Sequence, residues 1–583
     1  MSKARAPRTS QWFHLPLLLL LAAGLRLYRL AAKPLWVDEI YTAFYSLGKS
    51  LEIIPFGELL PPETYWALIS DPGTPWQAAQ AVATYSNHPP LFFMLMNGWL
   101  QSVGTSVWSL RAFAVLWGLV AVAGVFYLGR RVAGDHVGQL AALLMAVSPY
   151  GIYLSQEARH YSMAMAIATF ALLNWIALLQ GDRTLFRWLS WIGLNALGLY
   201  VHYFYSFGIA AQWLVTAIVL LRRLQNRSQT LKQTVAQAFG WLLAIVSTAL
   251  VYLPWVPSAI AHLQSDGGTS WLSHDLPLYQ TVLYPLVQTL AAAVFMLAML
   301  PVEQMPLWVV LPSALIMLGV FGVVIWQFIQ GWQNESKLQT SQLYASLDTS
   351  LDASRFAKGA LVSYSLVVLA IMMLITYGLG KDLTRAPRYF FMLYPAVSVL
   401  LATGLRRRRF VLTMTNPPPH NYRFIVEEIG LNRRHWVLTA AIAAGILSQI
   451  LISYDLALLK PFLPGQVGRR IAAESAPTAV LITPGQDSYR ALSLSYILAI
   501  PPNSSDQIAL LPKSASANRW QPSIDGAPPK DAVLWLVEPK REIPFPTEVA
   551  WSNQTCSAAG EQISTEGTRQ QKYRCIAAAS DSE

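Results

Sequence analysis

Long apolar runs, each close to the length of a bilayer crossing, alternate along this chain with short polar links. A helix needs about 20 apolar residues to cross the hydrocarbon core. Runs of this kind occupy 12–31, 108–129, 138–153, 160–179, 185–201, 203–222, 236–256, 306–328, 358–380, 389–405 and 436–455, and each predicts a membrane helix. Two further apolar stretches, 89–103 and 281–300, are ambiguous. Each either crosses or lies at the interface as an amphipathic or re-entrant helix.

Basic residues fall in the links, and they help to decide the topology. Lys3, Arg5 and Arg8 place the N-terminus in the cytoplasm, ahead of an uncleaved first span that lacks a small-residue cleavage site. The clusters Arg130–Arg131, Arg183 with Arg187, Arg222–Arg223 with Arg227 and Lys232, and Arg406 to Arg409 with Arg433–Arg434 then all fall inside, provided that neither ambiguous stretch crosses. The positive-inside rule therefore favours about 11 spans over about 13. Arg26, Arg29 and Lys33 break the rule at the outer end of the first span, where they face a polar cavity or snorkel to headgroups. The loop 331–357 is polar, cytoplasmic and expected to be poorly ordered.

From about residue 460 the pattern changes. Pro and Ser become frequent, and short apolar runs such as Ala479–Thr483 and Ala532–Val537 read as strands around a helix-like stretch near Tyr489–Ile500. The expected fold is thus an all-α polytopic membrane protein, 1–455, with a large first outer loop at 32–107. A small extracytoplasmic α/β domain, 456–583, follows it.

Composition supports this reading. Of 583 residues 54% are hydrophobic and only 13% charged, about half the usual charged share of a soluble domain. The 21 Trp and 25 Tyr suit the headgroup zone, where one end of the ring is apolar and the other wet. A net charge of +11 would suggest nucleic acid, but its cations lie between apolar runs rather than on one soluble face, so no nucleic-acid partner is expected. The only cysteines are Cys556 and Cys575, which predict one disulfide if that end is extracytoplasmic.

Candidate chemistry gathers in the outer links. Asp38–Glu39 follows the first span, as the acidic start of an interfacial helix or as a general base whose pKa the nearby lipid raises. Asn87-His88-Pro89-Pro90-Leu91 opens an ambiguous stretch. The prolines suit a first helical turn, but this leaves His88 to line a cavity or simply to be satisfied. Ser155-Gln156-Glu157-Ala158-Arg159-His160-Tyr161 packs many polar groups into a short link, either as a solvated turn or, through Glu157, Arg159 and His160, as a site for an anionic or hydroxylated ligand. His202 lies in the aromatic Tyr200–Tyr205 turn. Arg388 and Tyr389 open a late span, where they could meet a lipid phosphate or anchor the helix to headgroups.

Taken in order, these motifs resemble the family 39 branch of the GT-C glycosyltransferases, whose relatives include protein O-mannosyltransferases and the bacterial aminoarabinose transferase of lipid A. The carrying residues are Leu27-Tyr28-Arg29-Leu30 with Trp36-Val37-Asp38-Glu39, His88-Pro89-Pro90-Leu91, Ser155 to Tyr161, His202-Tyr203-Phe204 and Arg388-Tyr389, so the likeness spans roughly 12–405. It implies a GT-C type fold and a plasma-membrane enzyme. The donor would be a sugar on a polyprenyl phosphate, and the acceptor a lipid, glycan or protein hydroxyl at the outer leaflet. By the same resemblance the catalytic residues are Asp38, as the base, and Glu39. Glu39 and Glu157 orient substrate or hold a divalent cation, Arg388 and then Arg159 hold the phosphate, and His88, His160, His202 and Tyr389 line the cavity. A lipid or sugar-phosphate transporter without chemistry, or a membrane scaffold working through its tail, would use similar residues. A transporter built from inverted repeats should show matching broken spans, and none is visible.

Overall fold

The computed structural model describes residues 14–226, 230–265, 270–273, 277–339, 349–405, 409–414, 422–427, 435–474, 476–482, 490–511, 532–539, 544–551, 554–565 and 567–577. The basic residues Lys3, Arg5, Arg8, Arg227, Arg406–Arg408 and Arg433–Arg434 lie outside them. All eleven apolar runs are helical over most of their described length. Among the described residues six helices are long and apolar enough to cross a membrane: Val107–Ala133, Tyr161–Leu179, Tyr205–Gln225, Leu231–Gln264, Leu307–Gln333 and Asp352–Gly378. Four shorter apolar helices, Leu15–Leu27, Leu91–Val103, Tyr394–Leu405 and Val437–Ser453, accompany them. The outward faces carry exposed Leu242, Leu243, Leu250, Leu311, Leu315 and Leu374. Such continuous apolar surface is stable against lipid and not against water. This is a polytopic helical membrane protein.

Two expectations change. The run 138–153 is not one helix but two, Asp135–Val147 and Pro149–Gln156, bent by 59°. The cause is local: Ser148 is extended and caps the second helix by accepting the Gly151 N–H at 3.3 Å, and Pro149 sits in its first turn, where no backbone donor is needed. The loop 331–357 is also largely helical, since one helix runs Leu307–Gln339 and the next begins at Thr349, leaving 340–348 outside the described residues. Both ambiguous stretches are helical over much of their length, as Leu91–Val103 and as Leu278–Phe295 with Pro285 inside it.

The chain forms two compact units. The first comprises 1–28, 87–92 and 114–458. Its core includes Tyr161–Leu179, a helix buried almost along its whole length. Glycine sets one close approach here, because a Cβ on Gly138 would lie 2.5 Å from the Phe126 carbonyl of the neighbouring helix. A hairpin of β1 (Arg409–Met414) and β2 (Tyr422–Glu427) also belongs to this unit.

Arg26 resolves the charge that broke the positive-inside rule. It neither snorkels nor faces water, but is fully buried. Its guanidinium donates to the Ala146 carbonyl at 2.9 Å, the Met145 carbonyl at 3.1 Å and Ser155 Oγ at 3.2 Å. The two carbonyls belong to the last turn of Asp135–Val147, whose partners the bend removes, so Arg26 caps the broken helix. Arg26→Leu is expected to lower stability by about 2–6 kcal/mol, the cost of two buried carbonyls left unmatched. Arg26→Lys should lose less. Thermal unfolding in detergent measures both, and an unchanged melting point for Arg26→Leu would remove the capping role.

The second unit comprises 29–86, 93–113 and 459–583, so most of the first loop and the tail share one body. The tail holds a mixed sheet of seven strands: β3 (Thr478–Ile482), β4 (Gln507–Leu510), β5 (Val533–Pro539), β6 (Glu548–Trp551), β7 (Gln554–Ala558), β8 (Ile563–Thr565) and β9 (Thr568–Ala577). Their order is β4-β3-β5-β9-β7-β6 with β8 beside β9; β3 pairs parallel with β4 and β5, and the other pairs are antiparallel. The expected strands are β3 and β5, and the expected helix is Arg490–Ile497. The expected disulfide joins Cys556 of β7 to Cys575 of β9. The first loop is tied to this domain through Leu60, which bridges Ile508, and through the Trp66 indole, which donates to the Ile500 carbonyl at 3.1 Å.

Candidate active site

The residues singled out in the sequence fall into two sets, one in each unit. In the first unit His88, Glu157, Arg159, His160, His202, Arg388 and Tyr389 come together. Pro89 and Pro90 start the helix Leu91–Val103 and fix His88 just ahead of it. The short helix that starts after the bend at Ser148 ends at Gln156, where Glu157 turns extended, and Glu157 to His160 form a tight link before Tyr161. His202 lies between Leu185–Leu199 and Tyr205–Gln225. Arg388 and Tyr389 lie on a 3-10 turn, Pro387–Met392. The Tyr150 hydroxyl fixes that turn by donating to the Pro387 carbonyl at 3.1 Å.

The three histidines form a continuous row. Ring centres lie 4.9 Å apart for His88 and His160, and 4.7 Å for His160 and His202. Arginine can only donate, so His88 Nε2, 3.0 Å from Arg159 Nη2, accepts and its proton sits on Nδ1. His202 Nδ1 accepts the Phe204 N–H at 3.0 Å, which leaves its proton on Nε2. Burial, reinforced by nearby Arg159, holds His88 well below the usual histidine range. Burial and then His202 do the same for His160, and burial with Arg159 brings His202 down to about 3. The row is therefore neutral at pH 7.

The other ionisable side chains of this cluster are Arg388, Arg159 and Glu157. Arg388 lies 5.9 Å from the Tyr161 ring centre and 5.8 Å from those of Trp271 and Tyr389, and hydrogen-bonds the Tyr153 hydroxyl. Arg159 lies 5.8 Å from the Tyr161 ring. Glu157 and Arg159 are buried. Two guanidiniums beside one carboxyl group, neutral histidines and aromatic walls form a setting that attracts an anion.

Sequence reasoning missed several neighbours of this cluster. Tyr153 lies on the short helix created by the bend, within a run read as one span. Trp271 stacks on Arg388 and on Arg385, which donates to the Trp271 carbonyl. His262 Nδ1 lies 2.7 Å from the Tyr203 hydroxyl, which accepts from the Trp255 indole at 3.1 Å. The indole can only donate, so the tyrosine oxygen links Trp255 to His262. A histidine near Trp255 at the end of an apolar run was the available signal.

In the second unit Asp38 and Glu39 open the helix Val37–Ser46. Their environments differ: Asp38 is half-buried, whereas Glu39 is fully buried and paired with Arg111 at 2.7 Å. The helix packs against Arg490–Ile497 of the tail and against Pro75–Tyr85. Among the described residues no group of three or more His, Cys, Asp and Glu is placed to hold a metal ion.

Residues 87–255 match the family described as dolichyl-phosphate-mannose-protein mannosyltransferase. This stretch contains His88, Glu157, Arg159, His160 and His202, and the match bears out the resemblance read in the sequence. No curated protein matches the chain. Among solved structures the chain is similar to an archaeal oligosaccharyltransferase from Archaeoglobus fulgidus in complex with an inhibitory peptide and a dolichol-phosphate, with 14% identity over 85% of this chain and a TM-score of 0.43. It spans 65% of that protein's length. It is also similar to ArnT from Cupriavidus metallidurans bound to undecaprenyl phosphate, with 12% identity over 97% of this chain and 98% of that one, and a TM-score of 0.36.

Proposed function

We propose that the protein is an inverting glycosyltransferase. It moves a sugar from a polyprenyl-phosphate donor to a hydroxyl of a lipid, glycan or protein acceptor at the outer face of the membrane. The observation that carries this reading is the buried row of neutral histidines with Arg159, all within the stretch that matches a mannosyltransferase family, beside Arg388 from further along the chain. The guanidiniums of Arg159 and Arg388 suit the negative charge of a phosphodiester. Tyr161, Tyr389 and Trp271 offer aromatic faces to a sugar ring.

The chemistry follows from the leaving group. The bond from the anomeric carbon to the phosphate oxygen breaks, and its electron pair leaves with the phosphate, a stable anion that needs cations rather than a proton. A new bond forms from the acceptor oxygen to the anomeric carbon on the opposite face, inverting it. The acceptor proton goes to Asp38, the half-buried carboxylate of the pair. Arg388 holds the phosphate, with Arg159 second; His88, His160, His202 and Tyr389 shape the cavity. Glu157 sets the charge beside Arg159.

The deciding experiment incubates the purified protein, in lipid nanodiscs, with a panel of polyprenyl-phosphate sugars radiolabelled in the sugar. Label appearing on a hydroxyl acceptor supports the reading. Donor that binds or crosses the bilayer with its sugar intact makes the protein a transporter.

Orientation has its own test. Ser206 and Arg183 are both exposed, one near each end of the helix Leu185–Leu199. Cysteine at 206 should react with an impermeant thiol reagent added to intact cells, and cysteine at 183 should not. The opposite pattern would turn the active site toward the cytoplasm.

A further inference from the structure

We propose that Arg111 is the positioning residue for Asp38, acting through Glu39 and the chain that leads into their helix. The proposal rests on the reading of Asp38 as the base. It gives Glu39 a task different from holding substrate or metal.

Arg111 stands in the first turns of the helix Val107–Ala133, 3% exposed, and Glu39 is 0% exposed. A guanidinium has five N–H donors in a rigid fork. Here each has an acceptor. Nε and Nη2 grip the two carboxylate oxygens of Glu39 at 2.8 and 2.7 Å. Nη1 donates to the carbonyls of Leu30 and Lys33, both at 2.8 Å, and Nη2 also donates to that of Pro34 at 3.0 Å. One side chain thus ties down three carbonyls of the irregular segment before the helix, a segment that starts with Arg29 at a left-handed φ of 53°.

Glu39 completes the clamp. Its Oε2 accepts the Trp36 N–H at 3.4 Å, closing the N-terminus of the helix on which Asp38 is the second residue. Adjacent residues on a helix point about 100° apart, the angle that 3.6 residues per turn gives. Fixing Glu39 inward therefore fixes the rotation of the first turn and the direction of Asp38. Binding both carboxylate oxygens in a buried ion pair also keeps the negative charge of Glu39 from acting on its neighbour. A lysine in place of Arg111 would keep the charge but lose the fork, so the segment 30–34 and Glu39 could no longer be held together.

The test measures turnover per folded molecule in lipid nanodiscs for Arg111→Lys, Glu39→Gln, Asp38→Asn and the double variant Asp38→Asn/Arg111→Lys. Arg111→Lys and Glu39→Gln are expected to lower kcat by about 10- to 100-fold, as a small misplacement of a reacting group does. The donor KM should stay within about threefold, because Arg111 touches no donor group in this reading. The double variant should be no slower than Asp38→Asn alone, since a residue that works through Asp38 has nothing left to position. A purely structural residue would instead change the folded fraction and leave turnover per folded molecule intact. Near-normal kcat in both Arg111→Lys and Glu39→Gln, or losses that multiply in the double variant, would overturn the proposal. If Arg111→Lys does not fold, Glu39→Gln and its double with Asp38→Asn decide by the same criteria. If Asp38→Asn itself turns over normally, the base assignment falls, and the positioning role falls with it. An inactive Asp38→Asn beside a normal Arg111→Lys and Glu39→Gln refutes the positioning role alone.

Discussion

Asp38→Asn is expected to lower transfer by about a hundredfold to ten-thousandfold while the protein still inserts and folds. That range is the usual contribution of a general base. The environment of the pair explains why Asp38 and not Glu39 is the residue to remove. Both oxygens of Glu39 are engaged by Arg111, and it has no exposure. Asp38 begins the same helix but remains half-buried, and its backbone carbonyl accepts the Thr42 hydroxyl at 3.0 Å, an ordinary feature of a helical turn. The substitution keeps the shape, exchanges one acceptor oxygen for an amide donor and removes the charge and the basicity, and at a half-buried position the fold should tolerate it. Size exclusion and thermal unfolding check that the variant is intact; transfer from labelled donor gives the rate. A variant that retains near-normal turnover would take Asp38 out of the mechanism and pass the role of base to another group.

Much of this architecture could be read from the chain because lipid imposes a simple rule. Apolar runs must be helical, since no water is present to satisfy the backbone. Every run from 12–31 to 436–455 obeys it. The bend between Val147 and Pro149 escaped because average apolarity does not register a break, although Ser148-Pro149 is a helix-start signal of the usual kind. In the tail, Ala479 to Ile482 and Val533 to Val537 are apolar and stand out as strands, whereas β9 contains Arg569, Gln570, Gln571, Lys572 and Arg574, and its polar character hid it. The site residues were visible as polar groups in expensive places. Their partners were not: Arg111 lies 72 positions from Glu39 in an apolar helix, and Trp271 looked like an ordinary interfacial aromatic. Arg26 was visible as an anomaly, but its role depended on the same unseen bend.

Arg388 should prove sensitive to the shape of its cation as well as to its charge. It lies beside Tyr161, Trp271 and Tyr389, and its backbone is fixed by the Tyr150 hydroxyl. A headgroup anchor would need only a positive charge on a long apolar stem, which lysine supplies. A phosphate clamp stacked between aromatic rings needs the planar fork, which lysine lacks. The two roles therefore separate in one substitution. Arg388→Lys is expected to insert normally and to transfer poorly, with Arg388→Ala worse. A hydrogen bond to a charged group is worth about 1.5–3 kcal/mol, which corresponds to roughly ten- to a hundredfold in catalytic efficiency. The loss should appear as the donor is varied, with little change in the acceptor dependence. The neutral histidine row sharpens the expectation. His88, His160 and His202 are held below the usual histidine range by burial and by the arginines, so at neutral pH they supply no positive charge to replace the one removed. If Arg388→Lys matches the native enzyme at limiting donor, the phosphate role passes to Arg159, whose bond to His88 would then be the next to break.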